Sequence, residues 1–405
     1  MSGHGDTAGA SGPVSTLELF FDLVFVFALT QVTAAVAADL SGRGVLRGVL
    51  VVALLWWSWT CYAWLANLVR TEEGVVRLGV LAAMAAMFVL ALTIPEAFDD
   101  APGGLSGPVV LAACYVAFRA LHLLLFFALS AGDAALRAQL RRFAPAMLGA
   151  GALLLAAAVT DGATRTALWA AAVAVDYLGT YLGGARGWRV RVDHFAERHG
   201  LIVIVALGES IVAIGVGVAQ LPVSWPIVTA AVLGLALSAG LWWAYFDVAA
   251  LRAEHALLEA PAHRRARLAQ DAYSYLHLPL VTGVVLMALG LKKVLEQVGE
   301  AEHHAPGEPL EGWALAALVG GVVLYLLAHV AFERRSTGRL AGARLLAAAL
   351  AAVLGPLGGA LPALTVLAVL AALVVALAVV ESARHAQERA HLHRVLRDRP
   401  ATAHG

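Results

Sequence analysis

Twelve stretches of this sequence are apolar over a length that crosses a lipid bilayer, and no other feature limits its fold so strongly. A hydrocarbon core of roughly 30 Å takes about 20 helical residues. Runs of this kind lie at 19–38, 46–69, 75–97, 107–130, 144–160, 165–183, 200–220, 226–249, 272–291, 311–332, 341–356 and 361–381. The chain is 61% hydrophobic and 14% charged, against roughly 45–50% and about 25% in soluble domains. The spans use up nearly all of this apolar material, so only connectors remain between them. The expected fold class is therefore all-α, a polytopic integral membrane protein of about 12 transmembrane helices. Its 28 basic residues equal its 28 acidic ones, which excludes a chain basic overall and with it a nucleic-acid partner. The lipid bilayer is the expected partner, and the scarcity of charge excludes disorder.

Ala35-Val36-Ala37 at the end of the first run resembles a signal-peptide cleavage site. Residues 1–17 hold no Lys or Arg, however, and Asp22 interrupts the run, so it is expected to be a retained span. Most of the 28 Lys and Arg fall on the even-numbered connectors and the C-terminal tail. The positive-inside rule then places both termini in the cytoplasm of a cell that holds the chain in its cytoplasmic membrane. His303-His304 lies in the acidic connector at 292–310, where a solvated loop is expected rather than a metal site. The tail from Glu381 alternates Arg and His with Ala and Leu, which suits a helix extending from the membrane or resting on anionic headgroups. Cys61 and Cys114 sit inside apolar runs, as small buried side chains do.

The first and seventh spans resemble one another. Glu18 precedes a Leu/Phe/Val run that reaches Ala28-Leu29-Thr30, and Glu197 precedes one that reaches Ala206-Leu207-Gly208-Glu209. Trp56-Trp57 in the second span likewise matches Trp242-Trp243 in the eighth. Six spans per unit is an even number, so the units are expected as two parallel repeats. The organisation reads as a tail at 1–18, a first half at 19–183, a cytoplasmic linker at 184–199, a second half at 200–381 and a basic, His-rich tail at 382–405. Transporters built this way place their substrate near the midplane between the halves.

A charge near a helix centre costs about 2.5–3.5 kcal/mol on insertion scales, so each one needs a partner, water or protonation. Glu18 and Asp22 are one turn apart on the first span, with Thr33 on the same stripe. Arg119 lies mid-span with His122 a turn on, and Asp176 and Glu209 lie within the sixth and seventh spans. Arg119 with Asp176 or Glu209 would make a neutral buried pair. Glu18, Asp22, Arg119, His122, Asp176 and Glu209 are thus the candidates for a polar path carrying a proton, cation or small solute, or alternatively ties between helices. His277 and His329 join His122 as proton carriers or interhelical hydrogen-bonders. Gly200, Gly208 and Gly215 share a face and are expected to admit a neighbouring backbone. Trp56, Trp57, Trp242 and Trp243 are expected to pack between the halves rather than cage a cation.

No phosphate-binding glycine loop, zinc-protease helix or nucleophile elbow is present. No enzymatic role, cofactor or metal is expected. The stretches Glu18-Leu-Phe-Phe-Asp22-Leu-Val-Phe-Val-Phe-Ala28 and Glu197-Arg-His-Gly-Leu-Ile-Val-Ile-Val-Ala-Leu-Gly-Glu209-Ser210 resemble the bacterial low temperature requirement protein A family. That resemblance implies a multi-span membrane protein linked by name to growth in the cold. Phe20-Phe21-Asp22, followed by Val24-Phe25 and Ala28-Leu29-Thr30, is also similar to the Phe-Ser-Asp motif of potassium and proton channels built from six-helix repeats. This second likeness implies pore-lining first and seventh helices. Phe21 stands where that motif has Ser, and Leu201 where its second copy would have Asp. The expected function is a transporter or ion-permeation protein, the alternatives being a membrane scaffold or cold-adaptation factor and, third, an intramembrane enzyme.

Overall fold

The structure is a computed structural model that describes residues 14–69, 71, 74–185, 187–219, 221–299, 307–310 and 312–398. His303 and His304 lie outside the described residues. Among those described the chain is helical, with one isolated bridge between Pro309 and Pro362. The helices are α1 Thr16–Ala38, α2 Gly42–Ala66, α3 Gly74–Leu92, α4 Gly107–Leu129, α5 Ala134–Ala158, α6 Gly162–Gly183, α7 Val192–Val218, α8 Trp225–Glu259, α9 Ala262–Gly299, α10 Gly312–Thr337, α11 Gly342–Gly358 and α12 Ala363–Arg397. Ten are long and apolar enough to cross a bilayer. The other two are α6, interrupted by Arg165 and Asp176, and α11, only 17 residues long. The chain is thus an all-α, polytopic membrane protein.

Several helices run further than the apolar stretches within them. α7 begins at Val192, inside the expected linker 184–199, and α8 and α9 nearly close the expected connector at 250–271. Hydropathy marks only the oily part of a helix, whereas the helix continues wherever one face stays covered. Beyond the oil α8 still buries Arg252, Ala253 and Leu257 along one side. α12 likewise continues through Arg397, about 52 Å at 1.5 Å per residue. Two of these helices contain a π segment, Tyr245–Ala249 in α8 and Gln270–Tyr275 in α9.

In the first half α1 packs on α2 and α3, α3 on α4, α4 on α5, α5 on α6, and α6 returns to α2. In the second α7 packs on α8 and α9, α9 on α10, α10 on α11, α11 on α12, and α12 returns to α8. Adding six to each helix number converts the first order of neighbours into the second. The two sets meet where α1 lies against α7 and α9, and α2 against α7 and α9.

Close backbone approach is concentrated between α9 and α10. A Cβ on Gly283 would stand 2.7 Å from the Gly321 oxygen and 2.8 Å from the Tyr325 nitrogen. On α7 the expected glycine seam is not the contact face. Gly208 and Gly215 have open space where a Cβ would be, and Gly200 meets only the Phe246 ring at 3.3 Å. The buried positions Ala206, Ser210, Ala213 and Gly217 recur at helical spacing, and Gly208 and Gly215 fall off that stripe. Gly217 makes the approach instead, with its Cβ position 3.1 Å from the Lys292 oxygen of α9.

The tryptophan pairs also diverge. Trp56 and Trp57 are buried between the halves, where the Trp56 indole donates to the Ser274 carbonyl at 2.7 Å and Trp57 packs on Tyr177 and Tyr275. Trp242 and Trp243 are 43% and 47% exposed, which corrects the expectation that they pack between the halves. They lie on the outer side of α8, near its contact with α12, and Trp243 donates to Ser382 at 2.6 Å.

Candidate functional site

The sequence Ser15-Thr-Leu-Glu18 starts α1 with a capping box. The Ser15 hydroxyl accepts from the Glu18 amide, and the Glu18 carboxylate accepts from the Ser15 amide at 2.8 Å. The same carboxylate meets His194 Nε2 of α7 at 3.1 Å. One turn on, Asp22 accepts from Arg198 Nη1 of α7 at 3.0 Å and from the Trp59 indole of α2 at 2.8 Å. Arg198 also donates to the Glu18 carbonyl at 2.9 Å and lies 5.4 Å from the Trp59 ring centre. Because Glu18 and Asp22 are four residues apart, as are His194 and Arg198, the two pairs form consecutive rungs. Two turns deeper the Thr30 hydroxyl donates to Glu209 at 2.5 Å. Helices α1 and α7 are therefore parallel and in register, with polar contacts from the starts of both to well inside the bilayer-length segment.

A second polar centre lies within the first six helices. Arg119 of α4 pairs with Asp176 of α6 at 2.8 Å, and both are buried. Tyr115 donates to the other Asp176 oxygen at 2.9 Å, and Arg119 donates to Cys61 Sγ at 2.9 Å. His122 Nε2 contacts the Cys61 carbonyl at 3.1 Å. Of the two carboxylates proposed from sequence as the Arg119 partner, the structure selects Asp176, and Glu209 is held by α1.

A third centre ties the ends of α8, α10, α11 and α12. Arg252 donates to Glu333 at 2.5 Å and to Glu388 at 2.6 Å. Arg344 donates to Glu381 at 2.8 Å, to the Ala244 carbonyl at 3.0 Å and to His329. Glu388 lies about 38 Å along α12, beyond a 30 Å hydrocarbon core. The hydrogen bond from Arg252 holds its carboxyl down at about 2, with Arg339 adding to the effect and partial burial opposing it.

Three cavities accompany these centres. One of about 50 Å³ is walled by Trp57, Trp64, Phe143 and Trp188 and reaches Arg119 and His122. A second, about 190 Å³, lies at the opposite end of α1 beside Asp39, Arg47 and Asp99. A third, about 10 Å³, lies between α1, α2 and α9 at Thr33 and Thr282, and shares Val32, Val36 and Gly48 with the second. None of the three is lined by Glu18, Asp22, Asp176 or Glu209. By their contacts the six candidates fall into two sets. Glu18, Asp22 and Glu209 are on the α1–α7 seam, and Arg119, His122 and Asp176 are within the first bundle.

The sequence pattern described as Bacterial low temperature requirement A protein (LtrA) matches residues 13–379. The chain belongs to the bacterial low temperature requirement A family. The match starts just ahead of the Ser15 cap and runs through α1 to α11 and about half of α12. The chain is also similar to uncharacterized protein RA0937 of Rhizobium meliloti (strain 1021), 30% identical over 329 residues, which cover 79% of this chain and 77% of that protein. In this LtrA chain the residues that complete the seam, His194 and Arg198, were not among the sequence candidates. They precede the apolar run at Gly200 and so read as linker. Their four-residue spacing ahead of the run, matching Glu18 and Asp22, was the available signal. The LtrA network around Arg252, Glu333, Arg344 and Glu381 was missed for a similar reason, since each residue sits at the polar margin of its span.

Proposed function

We propose that this LtrA-family chain is a transporter or ion-permeation protein for a proton, cation or small solute. Its route follows the α1–α7 contact, closed in this conformation. The observation carrying this reading is the succession Glu18–His194, Asp22–Arg198 and Thr30–Glu209 along one pair of parallel helices. Apolar packing would hold two helices in lipid with no ionisable groups, and replacing a buried ion pair by hydrophobic residues is often neutral or stabilising. Intramembrane ionisable groups at such a cost are functional by default. The shared order of helix neighbours supports two parallel six-helix units, whose interface is where such proteins bind their cargo. The basic connectors favour a cytoplasmic membrane with both termini in the cytoplasm.

The test is flux in liposomes loaded with a pH-sensitive dye and, separately, with potassium or sodium. Wild-type protein is expected to move at least one of these ions, and Glu209→Gln to lower the rate tenfold or more. Negligible flux of every ion and of common small metabolites would overturn the reading. It would favour a non-transporting scaffold, for which the existing partner of each seam carboxylate is the specific support.

A further inference from the structure

The 50 Å³ cavity combines aromatic walls with polar groups that lack partners. His122, Thr60 and Arg119 are 1%, 2% and 3% exposed and Gln270 is 5% exposed, and all four line the cavity. His122 Nδ1, Thr60 Oγ1, Arg119 Nε and Gln270 Oε1 make no hydrogen bond within the described protein. A buried polar atom left this way is costly, and Trp57 Nε1, on a fifth lining residue, has no hydrogen bond either, so the group needs a collective explanation. Their chemistry is specific. His122 Nε2 faces the Cys61 carbonyl and must carry the ring proton, which leaves Nδ1 a bare acceptor. Gln270 Nε2 points to the Thr180 carbonyl, which leaves Oε1 the second acceptor. Arg119 Nε and the Thr60 hydroxyl are donors.

We propose that this cavity binds a small neutral solute of the amide class, with one carbonyl and an NH₂ group. The carbonyl accepts from Arg119 Nε and Thr60, and the two N–H groups donate to His122 Nδ1 and Gln270 Oε1. Charge argues for neutrality. Asp176 at 2.8 Å already balances Arg119, so neither an anion nor a cation finds an uncompensated counter-charge there. Size argues for a few non-hydrogen atoms, since a water needs roughly 10–15 Å³ on this scale. Trp57 and Phe143 then cover the faces of a planar group. The site is joint between the halves, because Gln270 and Ser274 come from the π segment of α9. Ser274 is pinned there by Trp64 at 2.9 Å and Trp56 at 2.7 Å. Such π segments recur at functional sites. The cavity also reaches Thr180, Ala185 and Trp188, around the end of α6 and the connector to α7.

This inference goes beyond the transport reading, and binding is measured without flux, so either can fail alone. Full-length protein in nanodiscs of deuterated lipid is probed by saturation-transfer NMR with acetamide and urea. Acetate and methylammonium serve as charged counterparts. Both amides are expected to receive saturation and the two ions at least fivefold less. Thr60→Val with Gln270→Leu is expected to lower the amide signal threefold or more. If that pair does not yield monodisperse protein, Thr60→Val alone, which keeps the side-chain shape, must show a drop. No transfer to either amide, equal transfer to the ions, or an unchanged signal in the folded variant would overturn the proposal.

Discussion

Replacing Asp22 by Leu leaves the Arg198 guanidinium, 1% exposed, without its counter-charge. With nitrogen and oxygen 3.0 Å apart, the charge centres are about 4 Å apart, and their attraction is about 4 kcal/mol at an effective dielectric of 20. That agrees with the 3–5 kcal/mol lost when one member of a buried pair is removed. Neutral interhelical hydrogen bonds in membranes average only about 0.6 kcal/mol, so the ionic contribution dominates. Asp22→Leu and Arg198→Met are each expected to destabilise the fold by about 3–5 kcal/mol. The double variant should lose only about 1–3, chiefly because the Trp59 indole is left without an acceptor. Trp59→Phe added to the double variant should recover most of that remainder. Reversible unfolding in mixed micelles, followed by helical circular dichroism, reads all four. Additive losses, with coupling under about 0.5 kcal/mol, would refute the claim that this pair joins α1 to α7. The folded double variant also tests the transport proposal, since ion flux undiminished in it would reduce the seam charges to helix ties.

Gly321→Leu would drive a side chain into the Gly283 carbonyl and the Met287 backbone, and is expected to abolish folded, monodisperse protein in gel filtration. Gly208→Ala and Gly215→Ala meet open space and should leave the melting temperature level or raise it slightly, since Ala is about 1 kcal/mol the better helix former. Loss of folding in either glycine-to-alanine variant would reinstate the seam that the structure moves to Gly217. For Glu388 the folded carboxyl titrates at about 2 against 4.5 when free. Its stabilisation is thus complete above about pH 4.5 and lost as pH falls through about 2. The melting-temperature gap between wild type and Glu388→Gln should shrink across that window, and a gap that stays constant would contradict the pairing with Arg252.

What the sequence determined by itself was the solvent and the secondary structure. Oil content summed over a window does not depend on which way a helix faces, so the twelve helices and the membrane setting were legible from the apolar runs, and the family from the stretches Glu18–Ala28 and Glu197–Ser210. Charges inside the oil, such as Arg119 and Asp176, were legible for the same reason, as departures from a uniform background. Tertiary structure decided everything that depends on rotation about a helix axis or on neighbours distant in the chain. It gave Arg119 to Asp176 and Glu209 to Thr30, turned Gly208 and Trp243 outward, and extended α7 back to place His194 and Arg198 against α1. It also gathered Thr60, His122 and Gln270 around one cavity. The physical reason is that insertion energy is a sum over single residues, whereas pairing is a product of position, and position is set by the packing of the other helices.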